Sequence, residues 1–271
     1  MIHRFCISHT EPLLPESWYD DCIALGDFQP DSVLHVRQLD QFWHEARPMI
    51  YGSAGTYVLP IAIERFADDA KLIEICSYRK RILPSSEGRE SVVYGGMREL
   101  SFGKFQKEAE LSVFIPRADL EFLVSPPLYL EKSVIKHYVQ EQVIDRRDVV
   151  DYTSLAVEMG VLDSNSTSEF LAAKHCIPGG VELGIYPKAW LTRQLSSLEL
   201  IGKQFLCRYG DRVKKYDMRK VRSVSFLSEC LGSFLLISHL MEKYSNNIPA
   251  DIFGYLTVAV EGNSTYSLGV K

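Results

Sequence analysis

Residues 50–83, IYGSAGTYVLPIAIERFADDAKLIEICSYRKRIL, decide the fold. The stretch opens on a glycine turn at Gly52 and Gly55. Tyr57, Leu59, Ile61, Ile63 and Phe66 then mix with polar residues at roughly helical spacing, which predicts a helix. Pro60 is placed early in it, where its missing N–H does little harm. Asp68 and Asp69 close the segment. Residues 71–77 are short, apolar and partly β-branched, the pattern of a buried strand. Tyr78, Arg79, Lys80 and Arg81 follow at once. In an open α/β sheet, ligands bind beyond the carboxyl ends of the strands. A cationic cluster at such an end either holds an anion such as a diphosphate, with arginine giving bidentate geometry, or is a solvated loop of ordinary surface charge.

The rest of the chain fits one α/β unit. Its 271 residues are 46% hydrophobic and 24% charged, ordinary globular values that support a sizeable core. A net charge of -5 argues against a dedicated nucleic-acid binder, which needs a positive field. Six cysteines at 6, 22, 76, 176, 207 and 230 form no CxxC pair and no zinc spacing. Cys6, Cys76 and Cys230 sit in apolar runs, where a free thiol behaves as a small hydrophobe. This pattern predicts a reducing, cytoplasmic compartment, and the N-terminus has no signal-peptide pattern. No run reaches the roughly 18 apolar residues of a membrane span; peripheral association, at the inner face of a membrane, stays open. Asn165 and Asn263 begin glycosylation-like triplets, a motif frequent by chance.

Residues 2–7 predict a first strand ending at Ser8-His9-Thr10, and the two prolines of 11–15 predict a loop. His9 therefore stands at a strand end, as a binding group or as a loop histidine. Asp20 and Asp21 either ligate a metal together with phosphate oxygens or are paired surface acids. Residues 32–39 read as a strand or a short helix, and 38–48 as a helical turn. GSAGT at 52–56 lacks the lysine of a phosphate loop and the spacing of a dinucleotide loop. Tyr94-Gly95-Gly96 reads as a turn and 111–115 as another strand. Helices are expected over 131–142 and 148–159, with a short capped one after 164–168. Residues 175–186 read as a glycine-rich loop and a strand. Helices from Pro187 to about Arg208 and over 225–244 follow, separated by the basic stretch 214–222, and 255–260 is a last strand. Glu229 interrupts the most apolar helix, so it is paired, hydrogen-bonded or functional; Arg222, two turns earlier, is the candidate partner. The core sheet is thus expected mainly from 1–125 plus 175–187, with helical parts at 128–172 and 188–245.

The order of these pieces resembles a bacterial family of glycosyltransferases from capsule, exopolysaccharide and O-antigen gene clusters, a domain of unassigned function marked by a strand ending His-Tyr-Arg-Arg. ISHTEPLLPESWYDDCIALG is similar to its opening strand with a His and a Pro-containing loop. LPIAIERFADDAKLIEICSYRKRIL is similar to its helix, acidic link and strand, with Tyr78 and Arg79 matching. IPGGVELGIYPKAWLTRQL and RSVSFLSECL are similar to its later strand, Trp-Leu helix and closing motif, with Arg222, Phe226, Leu227, Ser228, Glu229 and Leu231 matching. Ser77 replaces the family's His, Lys80 its second Arg, and Cys230 the Arg after Glu229; its Glu-Leu-Thr is not evident.

The resemblance implies a single-domain α/β fold of the nucleotide-sugar-transferase (GT-A-like) kind, a sheet flanked by helices with a helix-rich C-terminal half. It implies transfer of a sugar from a nucleotide sugar to a glycan or lipid-linked acceptor in bacterial surface polysaccharide synthesis. Tyr78, Arg79, Lys80, Arg81 and His9 would bind the donor diphosphate, with Arg222 in support and Glu229 or Asp21 as general base. No Asp-x-Asp stands at a strand end, so cationic side chains rather than a metal are expected to stabilise the leaving group; Mn or Mg is the other route. The departures suit an alternative, a non-catalytic carbohydrate- or partner-binding protein on the same fold. A hydrolase acting on a phosphorylated substrate is a further reading, without a GxSxG serine elbow.

Overall fold

The computed structural model describes residues 1–30, 34–92, 95–101 and 120–261. The expected strand at 111–115, Tyr94 and Asn263 lie outside them. Strand β1 (Ile2–Ser8) is flanked by β2 (Asp21–Ala24) and β3 (Leu72–Ser77), and all three run parallel. The chain then adds β4 (Lys80–Leu83), β5 (Arg89–Glu90) and β6 (Met97–Ser101). Strands β7 (Leu128–Tyr129) and β8 (His175–Cys176) pair with each other apart from the main sheet, while β9 (Gly184–Pro187) and β10 (Tyr255–Val260) join it. The main order is β2-β1-β3-β4-β10-β6-β5, with β9 also on β3. Strand β10 runs antiparallel to β4 and parallel to β6, so the last strand of the described chain lies inside the sheet.

The sheet forks after β3. Tyr78 and Arg79 alone join β3 to β4, and Ser77–Lys80 is the sole residue pair between the two strands. A two-residue hairpin that keeps its strands together needs positive φ in the turn, and neither Tyr78 nor Arg79 has it. The strands therefore splay. Strand β9 fills the opening, pairing antiparallel with β3 from Leu72–Pro187 to Ile75–Gly184.

Helices α1 (Val36–Leu39), α2 (Gln41–Ile50) and α3 (Ser53–Phe66) separate β2 from β3. After β7 come α4 (Val134–Gln140), α5 (Arg146–Glu158) and α6 (Ser164–Ala172), the last begun by an Asp163 capping box. The long helices α7 (Lys188–Val213) and α8 (Ser223–Lys243) make the C-terminal half helix-rich. Pro60 falls in the middle of α3 rather than in its first turn, a departure from the expected placement, tolerated inside a helix whose burial holds it in place.

One sheet face carries Phe5, Ile7, Ile23, Ile73 and Ile75 into the main core with the helices. The other carries Cys6, Cys76, Leu83 and Ala259 and is covered by Leu14 and Trp18. Cys6, Cys76 and Cys230 are buried free thiols, as their apolar settings predict. The segment Lys220–Lys243 is apolar and long enough to cross a membrane, but Leu227, Leu231 and Leu236 on it are fully buried in the core.

A buried polar knot fixes α8. The Ser228 hydroxyl bonds to the hydroxyls of both Tyr57 and Tyr152, the latter at 2.8 Å. Replacing Ser228 by Ala strands two buried phenols without replacing their partner. This should cost about 2–3 kcal/mol of unfolding free energy, measured by urea denaturation; an unchanged midpoint would show that the phenols find other partners.

Candidate functional site

The three parallel strands end level with one another, at Ser8, Ala24 and Ser77, and the polar groups that follow converge beyond that edge. The Tyr78-Arg79 turn is pinned on three sides. Tyr78 N–H donates to Ile7 (3.1 Å), Leu13 N–H donates to the Tyr78 carbonyl (2.6 Å), and Ala259 N–H donates to the Arg79 carbonyl (2.7 Å). The Arg79 guanidinium lies 5.0 Å from the Tyr78 ring centre, and that ring meets His9 edge-on at 4.8 Å. Arg79 is half-buried, so the cluster is not a loop waving in solvent.

A second arginine reaches the same edge from α2. Gly26, just past β2, has φ +65°, and a side chain there would collide with the Arg47 guanidinium. The turn is held by His35, whose Nε2 bonds to the Gly26 carbonyl (2.9 Å) while its Nδ1 accepts from Arg37 N–H (3.0 Å). Those two roles together require a neutral ring, and burial also lowers the His35 pKa. The His9 pKa is lowered by burial, then by Arg47 and Arg79. His9 therefore stands in the site as a neutral hydrogen-bonding imidazole at neutral pH.

Opposite the cations stand two carboxylates. Glu229, on α8, accepts from Gly179 N–H at 2.9 Å, and Glu182, in the loop before β9, accepts from the Ser53 hydroxyl at 3.0 Å. The loop approaches α8 this closely because Gly180 has φ +52° and no side chain; a Cβ would lie 2.8 Å from the Glu229 carbonyl oxygen. Burial raises the Glu229 pKa, opposed by the Gly179 N–H, Lys80 and Arg222. Glu182 is pushed up to about 8 by burial and the neighbouring Glu229 charge, opposed by Ser53, Arg222 and Lys80. Lys80 and Arg222 thus act on both acids. Arg222 is stacked 4.8 Å over Tyr51 and 5.2 Å over Phe226. Tyr51 takes a left-handed backbone (φ +48°) at the α2–α3 corner, a strained conformation of the kind that clusters at working sites.

Because Glu182 holds its proton in the folded state to about pH 8, against about 4.3 for a free side chain, the folded protein binds more protons across that window. Stability should therefore fall as pH rises from about 4.5 to 8, by at most about 1.4 kcal/mol per pH unit for one group. Glu182→Gln keeps an acceptor for Ser53 and should remove most of the decline, read from denaturation midpoints at pH 5.5 and 8. The same slope in the variant would place the titration elsewhere.

The structure thus brings together His9, Tyr78, Arg79, Lys80, Arg222 and Glu229, and leaves two expected members out. Arg81 is not part of the edge. Side chains alternate along a strand, so it leaves β4 on the face opposite Lys80, where it ion-pairs with buried Glu74 (2.5 and 2.9 Å) and stacks 4.4 Å over Trp18. Asp21 is not placed to act as a base here. It begins β2, level with Phe5, and bonds to His3 at 2.8 Å, about 10 Å of strand rise from the carboxyl edge. Asp20 accepts from Arg4 N–H at 2.8 Å, so the acid pair faces β1 at its far end. Among the described residues no group of three or more His, Cys, Asp and Glu is arranged to hold a metal ion. Glu182 and Arg47 are members that sequence reasoning did not nominate. Glu182 left a signal, a lone acid between Val181 and Leu183; Arg47 left none.

A mixed sheet flanked by helices, with a polar site beyond the carboxyl edge of the parallel strands, defines a single α/β domain. The chain is similar to the apo structure of the WbbM bifunctional glycosyltransferase, with a TM-score of 0.67 and 13% identity over 97% of this chain and 46% of that one. It therefore spans less than half the length of the protein it matches. No family model and no curated protein matches the sequence.

Proposed function

We propose that the protein is a glycosyltransferase that moves a sugar from a nucleotide-sugar donor to a hydroxyl of a glycan or lipid-linked acceptor, in bacterial surface polysaccharide synthesis. One observation carries the reading: cationic Arg79, Lys80, Arg47 and Arg222 and the half-buried carboxylates of Glu182 and Glu229 converge at the carboxyl edge of a sheet that resembles a glycosyltransferase's. In such a transfer the acceptor oxygen bonds to the anomeric carbon as the bond from that carbon to the diphosphate oxygen breaks. Arg79 and Lys80 stabilise the charge on the departing diphosphate, Tyr78 and His9 frame it, and Arg222 supports it. Glu229, whose carboxylate is held by the Gly179 N–H, takes the acceptor proton, while Glu182 keeps its own proton at neutral pH. The cations supply the leaving-group stabilisation without need of a metal. A thermal-shift screen against UDP, GDP and their sugars, with and without Mn²⁺, tests the proposal. A donor that raises the melting point without Mn²⁺ and turns over with an acceptor supports it. Binding of sugars alone, with no nucleotide response, would favour a carbohydrate-binding role.

A further inference from the structure

The basic stretch 214–222 takes no part in the donor site except through Arg222, and the fold gathers more charge around it. Helix α7 ends against the start of α5: Arg212 ion-pairs with Asp148 (2.6 Å) and Asp151 (2.7 Å), and the Tyr216 hydroxyl donates to Asp148 (3.1 Å). Lys220 reaches Asp145 at 3.8 Å. Segments 145–151 and 211–222 therefore form one surface. They hold eight Lys and Arg against five Asp, locally positive in a chain of net charge -5. The acids are largely occupied: Asp148 is buried beneath Arg212, Asp145 caps α5, and Asp217 accepts from the N–H groups of Arg219 and Lys220 (both 2.9 Å). Arg146, Arg147, Lys214, Lys215 and Arg219 are exposed.

Apolar groups lie among these cations. Met218, between Asp217 and Arg219 in the turn, is 76% exposed. Along α5, Arg147, Val150, Ser154 and Val157 share one stripe by helical spacing, with Val150 64% and Val157 43% exposed. A shallow groove of about 380 Å³ runs beside the stripe, between α5 and α6, and ends at Leu171. Exposed apolar side chains beside a cation cluster suit an anionic lipid surface, where the charges meet headgroups and the apolar groups enter the interface. A nucleic acid would use the cations and leave the apolar stripe in water.

We propose that this face, built from the 214–222 turn and the first turns of α5, docks the protein on an anionic membrane surface. The 220–222 turn joins it to Arg222, so docking would hold the donor site beside the lipid. The docking does not depend on the transferase reading, and its test is separate from that of the donor site.

The test is co-sedimentation of the full chain with phosphatidylglycerol-containing vesicles and with pure phosphatidylcholine vesicles. The protein should pellet with the first only and be released at high salt. Lys215→Glu with Arg219→Glu, both exposed, should weaken binding about tenfold or more, and Met218→Asp should weaken it severalfold at unchanged salt dependence. Circular dichroism and the nucleotide titration should remain those of the native protein in both variants. Failure of the native chain to pellet with anionic vesicles, equal pelleting of the double variant, or capture of duplex RNA in place of vesicles would each overturn the proposal.

Discussion

Replacing Arg79 by Ala should reduce sugar transfer on the order of 10³-fold while the melting temperature stays close to that of the native protein. The size follows from removing a cationic donor aimed at charge that develops as the diphosphate leaves. The unchanged stability follows from how the turn is held: its anchors are backbone hydrogen bonds to Ile7, Leu13 and Ala259, which the substitution leaves in place. Arg79→Lys should recover part of the rate, since a point charge remains but the bidentate fork is lost. Single-turnover kinetics with the donor found in the thermal-shift screen would measure both. Transfer at the native rate in Arg79→Ala would remove the cluster from the mechanism.

Arg81→Ala, two residues on, should do the reverse. Arg81 and Glu74 form a bidentate ion pair buried against Trp18, with the Glu74 side chain only 3% exposed. Deleting the arginine leaves a carboxylate in an apolar layer, helped among the described residues by Arg4 at 3.5 Å. A loss of about 3–5 kcal/mol is expected. Replacing both partners with Met should recover most of it, because the penalty is the stranded charge rather than the missing attraction. Denaturant titration of the single and double variants checks this; a single variant within about 1 kcal/mol of native would mean that the Glu74 carboxylate regains water or another partner once Arg81 is gone.

These neighbours show how far the sequence could be read. Strands β1 and β3 and helices α3, α7 and α8 were legible because each long or apolar segment carries its period. The Tyr78-Arg79 turn was not. It has no Gly or Asn, and its negative φ values splay the strands, so YRKR reads as one charged cluster when the chain has already turned into β4. Once β4 is seen, alternation sends Lys80 to the carboxylates and Arg81 to Glu74. Asp21 was misplaced for a related reason: β2 is only four residues long, too short for periodicity to reveal that a strand begins at Asp21 and carries the chain away from it to the carboxyl edge. His9, Arg222 and Glu229 were legible as unusual residues in their own segments. Their convergence with Ser53, Glu182 and Arg47 depends on packing between distant segments, such as the Gly180 approach to α8, which no local pattern contains.

If the carboxyl edge of the parallel strands holds a nucleoside diphosphate through Arg79 and Lys80, isothermal titration of UDP and GDP into the native protein, Arg79→Ala and Lys80→Ala will show it. One nucleotide should bind the native protein saturably, weakened at least about tenfold in each folded variant. Binding of equal strength in all three proteins, or none to the native protein by either nucleotide or its sugars, would contradict it.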